Sequence, residues 1–557
     1  MARITSLSLV TAAAAFCLLV AATVTSSAGA DPASASASAP GMTTHPAGTS
    51  VPSITIYPTG APAPYPTGAP APGATSSVPT VTSASGESAG TLRWRRCRGA
   101  ELRNFQCATL TAALDWDRPE QGTTPIAMLR ARSTGSPRGR IGSLFFNPGG
   151  PGGSGLLTAP MIYEMLPRTV TDRFDFVTWD PRGVGRSAGI DDCEPGEIGL
   201  PATGPVSWLT ITADYRAATA EANARCQRNH PRIIDHMGTN MVVRDLDAMR
   251  AAVGDRSLTY WGMSYGTRIG YTYALTFPDR VRALVLDGSI DPNGSITDLS
   301  LGYGTAADSA LDMMFQVFAG TSEQYRRAHR TLSEQPLRLP SGRSFTRWNL
   351  RNLLEESAGF ERVGSASWVS AARWLDRITI ALGGAGPEAS NARKALDRLR
   401  PGTTTEGLGG ATAVIDCIDY ADRPTAAEQD AIARTTRIQA PISGWKNGLM
   451  MATQCEGLTV PIDPVPIDFG TDQSARLLLL GSTRDARTPY AWTAAMARAF
   501  PRSRVVTYVG GQHGDYLLSQ SRCVDRRVNR YLVTRSLPAH DMSCPNAAHR
   551  WPQRRMR

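Results

Sequence analysis

Short apolar runs, each followed by Gly, Asp or Asn, recur along the chain after residue 140. Such runs are typical of strands that are covered on both faces of a parallel sheet. Segments with the apolar spacing of helices lie between them, for example 241–250 and 268–277. This alternation predicts an α/β fold with right-handed crossovers. The predicted strands are 141–146, 174–179, 258–261, 281–286, 476–480 and 504–509.

The strand series stops between residues 291 and 471, where the apolar spacing is helical. A segment of this length is too long for a loop, so we predict a mostly helical insertion. It would form a cap over the C-terminal ends of the strands, where ligands bind in open α/β sheets. The core is therefore predicted in two parts, 92–290 and 472–557 with a basic tail, separated by the cap, 291–471. The predicted cap helices are 306–318, 348–356, 366–382 and 427–436.

Residues 1–30 have the pattern of a secretory signal peptide. Arg3 precedes an apolar run over about 7–24, and small residues precede the cleavage point predicted after Ala30. An uncleaved anchor helix is the alternative, because the run approaches the roughly 20 residues that span a bilayer. Its alanine and threonine content is weakly hydrophobic and favours cleavage. We therefore expect a secreted protein without stable membrane insertion.

Residues 31–91 are rich in Ala, Ser, Thr, Pro and Gly, and the sequence of 57–64 repeats at 65–72. Such a composition buries too little apolar surface to offset the entropy of ordering, which predicts a disordered linker. Composition does not distinguish a pro-segment that is removed on maturation from a spacer that crosses a cell wall.

The number of cysteines indicates how the exported part of the chain is cross-linked. Of nine cysteines, Cys17 lies in the signal segment and eight remain. An even number in an exported chain indicates disulfides rather than metal ligands. We expect sequential neighbours to pair, because each pair falls within one predicted segment. The expected pairs are Cys97 with Cys107, Cys193 with Cys226, Cys417 with Cys455, and Cys523 with Cys544.

The net charge of +10 comes almost wholly from arginine, since Lys394 and Lys446 are the only lysines. No basic stripe interleaved with aromatic residues is present, which argues against nucleic-acid binding. The basic tail, 550–557, could contact an anionic cell wall or could simply be a solvated terminus.

A G-x-S-x-G motif centred on Ser264 follows the predicted strand 258–261 and precedes a helix. Small residues two positions either side of a serine allow a strand to turn sharply into a helix, which leaves the hydroxyl at an exposed apex. The motif therefore predicts Ser264 as a nucleophile.

A serine nucleophile needs a histidine base and a carboxylate that orients it. His513 is the one histidine of seven that follows an apolar strand, in a glycine-rich loop. Asp485 follows strand 476–480 and satisfies the chain order Ser, Asp, His. Asp472 is an alternative acid, but it precedes that strand and would lie at the opposite end of the sheet.

Acyl transfer also needs two N–H donors for the oxyanion. The N–H of Tyr265, the residue after the nucleophile, is the first candidate. The glycine-rich segment 147–155, after the first predicted strand, is expected to supply the second. A phosphate-binding loop is the rival interpretation, but no G-K-[ST] ending is present.

The segments 147–155, 179–187, 262–267, 481–489 and 511–514 together resemble the prolyl iminopeptidases of the α/β-hydrolase family. They are most similar to its secreted bacterial tripeptidyl aminopeptidase branch, over about 92–544. The resemblance implies an α/β-hydrolase fold, with a mostly parallel sheet and a large helical cap inserted before the acid-bearing strand.

The same resemblance implies Gly150 as the second oxyanion donor, and it implies neither a metal nor a cofactor. The segment 180–187 is interpreted as a structural turn with an internal Asp–Arg pair.

The resulting hypothesis is a secreted serine exopeptidase that releases short peptides, expected to be tripeptides, from substrates with a free N-terminus. Recognition of that terminus requires a carboxylate away from Ser264. Asp419, in the acidic cluster 415–422 of the cap, is the candidate, with solvation or helix capping as its alternative role. A secreted carboxylesterase or lipase with the same triad is the alternative function. A non-catalytic wall protein is a third, which the Ser, Asp, His order argues against.

Overall fold

A ten-stranded, mostly parallel sheet forms the centre of the protein in the computed structural model. The structure describes residues 92–196, 198–358, 366–399, 410–467, 469 and 475–546. The predictions made for the signal peptide, the linker, Asp472 and the basic tail lie outside these residues.

The strand order is β1-β2-β3-β5-β4-β6-β7-β10-β11-β12. From β5 to β12 all neighbours are parallel, whereas β1, β2 and β3 form an antiparallel edge that joins β5. A separate hairpin pairs β8 with β9. The strands are β1 (Arg95–Arg96), β2 (Gln106–Ala113), β3 (Thr123–Ala131), β4 (Gly142–Asn147), β5 (Phe174–Trp179), β6 (Leu258–Met263), β7 (Val281–Asp287), β8 (Leu337–Arg338), β9 (Ser344–Phe345), β10 (Leu478–Ser482), β11 (Arg504–Tyr508) and β12 (Met542–Cys544).

All six predicted strands are present with bounds within two residues of the prediction. Their side chains alternate between two apolar clusters, one on each face of the sheet: Leu144 and Phe146 enter one cluster and Phe145 the other. The antiparallel edge was not predicted. Its strand β2 alternates between buried and exposed positions and so lacks the continuous apolar run that marks a doubly covered strand.

Helices cover the sheet and fill the interval between β7 and β10. They are α1 (Gly155–Met165), α2 (Arg168–Thr171), α3 (Trp208–Asn229), α4 (Thr239–Ala252), α5 (Tyr265–Thr276), α6 (Ile296–Ala306), α7 (Ser309–Val317), α8 (Thr321–Glu334), α9 (Arg347–Ala358), α10 (Ala366–Leu382), α11 (Pro387–Arg398), α12 (Gly410–Asp419), α13 (Ala426–Gln439), α14 (Gly444–Thr453), α15 (Tyr490–Ala499) and α16 (Arg522–Thr534).

The interval between β7 and β10 is mostly helical, as predicted, and its described part contains α6 to α14. The predicted helix 306–318 is present but begins later than predicted: α6 ends at Ala306, and α7 covers Ser309–Val317 after Asp308. The Asp308 carboxylate is buried and accepts the backbone N–H groups of Ile442 and Ser443 at 2.7 and 2.9 Å. The Asp308 carboxylate therefore stabilises the contact between the α6–α7 junction and the segment that joins α13 to α14.

Helix α3 lies between β5 and β6 in sequence but packs on the cap. Thr212 donates to Asp430 of α13 at 2.7 Å, and Asn223 donates to the Gln454 carbonyl at 2.9 Å. The cap surface thus includes a helix from within the predicted first part of the core. Amphipathic spacing alone does not reveal which partner a helix covers.

Four disulfides join the pairs predicted from the sequence. They are Cys97–Cys107, Cys193–Cys226, Cys417–Cys455 and Cys523–Cys544. Among the described helices, none combines the length and the apolar character needed to cross a membrane.

Candidate active site

Ser264 lies at the junction of β6 and α5 with φ 56° and ψ −124°. A positive φ is strained for a residue with a side chain and is typical of a nucleophile elbow. The turn is tight because a Cβ on Gly262 would clash with the Gly266 carbonyl, and one on Gly266 would lie 2.9 Å from the Asn147 carbonyl. Ser264 is half-buried, so its hydroxyl is held at a reachable apex.

Backbone hydrogen bonds hold the elbow on both sides. The Ser264 N–H donates to the Asp287 carbonyl at the end of β7, at 2.9 Å. The Ser264 carbonyl accepts the N–H and the hydroxyl of Thr267, at 2.8 and 2.7 Å. The strained conformation is therefore determined by its neighbours rather than by Ser264 itself.

His513 and Asp485 are brought together at the ends of β11 and β10. His513 Nδ1 lies 3.0 Å from both carboxylate oxygens of Asp485, and the two side chains are 6% and 1% exposed. Asp485 also accepts the N–H groups of Arg487 and Thr488 and the Thr488 hydroxyl, at 2.8 to 2.9 Å. These donors orient the carboxylate toward the imidazole.

The loop that carries His513 packs against the elbow that carries Ser264. A Cβ on Gly514 would clash with the Met263 sulfur, and a Cβ on Gly288 would lie 3.5 Å from His513 Cε1. The three predicted catalytic residues therefore follow β6, β10 and β11, at the C-terminal ends of strands of the parallel sheet.

The glycine-rich segment after β4 lies directly against the nucleophile. A Cβ on Gly149 would stand 2.7 Å from the Ser264 Cβ and 3.1 Å from the Tyr265 nitrogen, so only glycine fits. Asn147 Oδ1 accepts the Gly149 N–H at 2.9 Å. No described residue accepts the N–H of Gly150 or of Tyr265. The geometry leaves these two amides as candidate oxyanion donors.

Two cap helices contact the rim of this site. A Cβ on Gly511, two residues before His513, would lie 2.9 Å from the sulfur of Met313 in α7. The hydroxyl of Thr412 in α12 donates to the Pro151 carbonyl of the glycine-rich segment. The cap thus touches the site from both the histidine and the oxyanion sides.

Two buried carboxyl groups beneath the site were missed by sequence reasoning. Asp287 accepts the N–H groups of Asp515 and Tyr516, at 2.7 and 3.0 Å, and Asp515 accepts the Ser482 hydroxyl at 2.7 Å. Burial raises the pKa of Asp287 to about 6. Burial, followed by the charge of Asp287, raises the pKa of Asp515 well above its usual range. Asp287 is the last residue of β7 and Asp515 lies two residues after His513. These positions were the sequence signal for a role of the two carboxyl groups near the site.

The internal Asp–Arg pair predicted for the 180–187 turn is wrong. Arg182 instead forms a two-pronged ion pair with Asp245 of α4, at 2.7 and 2.8 Å. Asp180 accepts the Ser154 hydroxyl at 2.6 Å and the Arg186 N–H at 2.9 Å. The turn is structural, as predicted, but its arginine is paired with a distant helix.

Asp419 lies in a buried cluster rather than at an open surface. Its carboxylate accepts the N–H and hydroxyl of Thr239, at 2.8 and 2.6 Å, and pairs with Arg268 at 3.1 Å. Burial raises the pKa of Asp419 to about 6. These contacts favour a structural role, and binding of a substrate amine by Asp419 stays a prediction.

A family model described as alpha/beta hydrolase fold matches residues 142–520. The serine protease Hip1 of Mycobacterium tuberculosis is 29% identical over 482 residues, which cover 81% of this chain and 91% of that protein. The tripeptidyl aminopeptidase of Streptomyces lividans is 28% identical over 488 residues, covering 81% and 85%. Carboxylesterase B of Mycobacterium tuberculosis is 27% identical over 482 residues, covering 81% and 89%. These findings confirm the resemblance stated from the motifs.

Proposed function

The chain belongs to the α/β-hydrolase family and is a serine hydrolase, and from that premise we propose that it is a secreted exopeptidase that releases tripeptides from free N-termini. The names of two relatives, a serine protease and a tripeptidyl aminopeptidase, support peptide substrates. The observation that carries the catalytic assignment is the contact of His513 Nδ1 with both oxygens of Asp485, at 3.0 Å.

In this mechanism the Ser264 hydroxyl attacks the scissile carbonyl while His513 takes its proton. Asp485 keeps the imidazole in the tautomer that has its free nitrogen toward the serine and stabilises the imidazolium that forms. The oxyanion accepts the N–H groups of Gly150 and Tyr265. His513 then protonates the leaving amine, and water hydrolyses the acyl-enzyme by the same route in reverse.

The cap supports exopeptidase rather than endopeptidase activity. Helices α7 and α12 contact the two sides of the site, and a cap in this place limits how far a peptide extends beyond Ser264. Secretion is proposed on the signal-like N-terminal sequence together with four disulfides, which persist in oxidising compartments. Proximity to a cell wall is proposed on the linker composition and the basic tail.

Matched tripeptide anilides, one with a free amino terminus and one N-acetylated, test this proposal on the purified protein. We expect turnover of the free form and at least about ten-fold slower turnover of the blocked form, because a site built for an ammonium group rejects its neutral analogue. Ser264→Ala should abolish turnover and labelling by a fluorophosphonate, whereas Ser300→Ala should keep both. Ser300 is a matched control because its buried hydroxyl donates to the Ile296 carbonyl within α6. Equal turnover of the two substrates would contradict exopeptidase action.

A carboxylesterase is the second candidate, and the similarity to carboxylesterase B favours it. The same triad cleaves esters, since the acyl-enzyme chemistry is shared. Acyl-nitrophenyl esters assayed beside the anilides decide between the two. Ester turnover without any peptide turnover would replace the peptidase proposal with the esterase.

A further inference from the structure

Helix α12 contacts the glycine-rich segment at its first turn. The Thr412 hydroxyl donates to the Pro151 carbonyl, and a Cβ on Gly152 would lie 3.2 Å from the Ala411 Cβ. Pro151 follows Gly150, the candidate oxyanion donor. The beginning of α12 therefore contacts the segment that carries the Gly150 amide, on one side of the candidate oxyanion site.

The end of the same helix contacts the other wall. Asp419 accepts the Thr239 hydroxyl at 2.6 Å, and that hydroxyl lies 2.7 Å from the hydroxyl of Tyr265. Because the Thr239 proton is directed to the carboxylate, the Tyr265 hydroxyl donates to Thr239. Burial keeps the pKa of Tyr265 well above its usual range, so the phenol remains a donor. Tyr265 is the residue whose backbone N–H is the second candidate oxyanion donor.

A buried ion pair anchors this end of α12 to the nucleophile helix. Arg268 of α5 donates to Asp416 at 2.7 Å and to Asp419 at 3.1 Å, and it also contacts the Tyr420 hydroxyl. Arg268, Asp416 and Asp419 are each at most 1% exposed. Charges this deeply buried hold their geometry closely, because a displaced partner would leave an uncompensated charge.

The two oxyanion amides belong to different strand ends, one after β4 and one after β6. We propose that α12 is a positioning element that holds these amides at a fixed separation, with Thr412 and Asp419 as its positioning residues. The inference rests on the proposed function, because it assumes that both amides bind the oxyanion. Stabilisation of an oxyanion depends on donors that are already in place, so a loosened α12 would slow the chemical step without weakening ground-state binding.

Thr412→Val and Thr239→Val test this role, since each removes one hydroxyl at nearly constant volume. We expect kcat to fall about ten-fold in each while KM stays within about two-fold, as is typical when a transition-state interaction alone is lost. Thr412→Ser should recover most of the kcat that Thr412→Val loses. Thr453→Val is the matched control with unchanged kcat and KM, because its buried hydroxyl donates to the Leu449 carbonyl of its own helix.

A peptide aldehyde provides an independent readout, because its tetrahedral adduct occupies the oxyanion site. We expect the aldehyde to bind about ten-fold more weakly to Thr412→Val and Thr239→Val, with binding of a peptide product unchanged. Folded variants that keep wild-type kcat and aldehyde affinity would overturn the proposal. A loss of kcat in Thr453→Val as large as in Thr412→Val would overturn it too.

The test separates this inference from the proposed function. If the wild-type protein cleaves nitrophenyl esters but no peptides, the peptidase proposal fails and the same variants are compared on the ester. Ester hydrolysis forms the same oxyanion, so the predicted loss of kcat still decides the role of α12.

Discussion

The Asp287 carboxylate accepts the backbone N–H of Asp515 at 2.7 Å. The backbone carbonyl of the same aspartate accepts the N–H of Ser264 at 2.9 Å. One residue at the end of β7 therefore connects the nucleophile elbow with the loop that carries His513. This link makes Asp287 a positioning residue for the candidate triad.

Replacement of Asp287 by Asn should loosen the histidine loop. An amide offers one acceptor oxygen, so the N–H of Asp515 or Tyr516 would lose its partner. We expect kcat to fall about ten-fold or more through misplacement of His513. The free energy of unfolding should fall by about 1–3 kcal/mol. Steady-state kinetics and chemical denaturation measure the two effects.

Asp525→Asn is the control for Asp287→Asn, because Asp525 accepts the Leu517 N–H at 2.9 Å in the same region. It should reduce stability while leaving kcat unchanged. Wild-type kcat in folded Asp287→Asn would contradict the positioning role.

The buried pair Asp287 and Asp515 should make stability fall as pH rises. Both have raised pKa values, that of Asp287 about 6, so the folded protein holds their protons more tightly than the unfolded chain. Their stabilising contribution is complete below the ordinary pKa of 3.8 and is lost as pH rises through the folded values.

Asp515→Asn removes one of these titrations and the repulsion between the two carboxylates. We expect the variant to be more stable than the wild type at pH 8 and to lose this advantage at pH 5. Thermal unfolding between pH 5 and pH 9 measures the difference. Parallel Tm curves for the two proteins would rule out a contribution from this pair.

Asp485→Asn should disable the base without removing it. The amide cannot stabilise the imidazolium and favours the wrong tautomer of His513. As in other Ser-His-Asp triads, kcat should fall by about 10³- to 10⁴-fold. Circular dichroism should report an intact fold. A kcat within ten-fold of the wild type would show that Asp485 is not the acid.

The ion pair of Arg182 with Asp245 should be important for stability and not for chemistry. Both side chains are at most 1% exposed, and Arg182 also donates to the carbonyls of Leu114 and His236. Arg182→Met leaves a buried charge unpaired and should lower the free energy of unfolding by about 3–5 kcal/mol. The kcat per folded molecule, counted by fluorophosphonate titration, should stay unchanged.

Arg326→Met provides the comparison for Arg182→Met. Arg326 pairs with Glu323 at 2.9 Å, and the two side chains are 65% and 64% exposed. An exposed pair contributes only about 0–1 kcal/mol. Equal destabilisation by the two substitutions would refute the assignment of the buried pair.

Local sequence patterns were sufficient for the parallel strands, the elbow at Ser264 and the disulfide pairs. A doubly covered strand needs a continuous apolar run, and the elbow needs small residues at fixed spacing. Both features therefore depend only on residues that are close together in the sequence. The order of Ser264, Asp485 and His513 along the chain was also sufficient to predict the contact between Asp485 and His513.

Only the tertiary structure decided the partners of the buried charges. Arg182 is paired with Asp245, 63 positions away, and Arg268 with Asp419, 151 positions away. An isolated Asp or Arg has the same appearance in a sequence whether it is solvated, capping a helix or buried in an ion pair. The low dielectric of the interior, which makes such groups costly unless they are paired, exists only once the chain has folded. For this reason the sequence alone predicted the candidate catalytic residues, whereas the folded protein determined which polar groups position them.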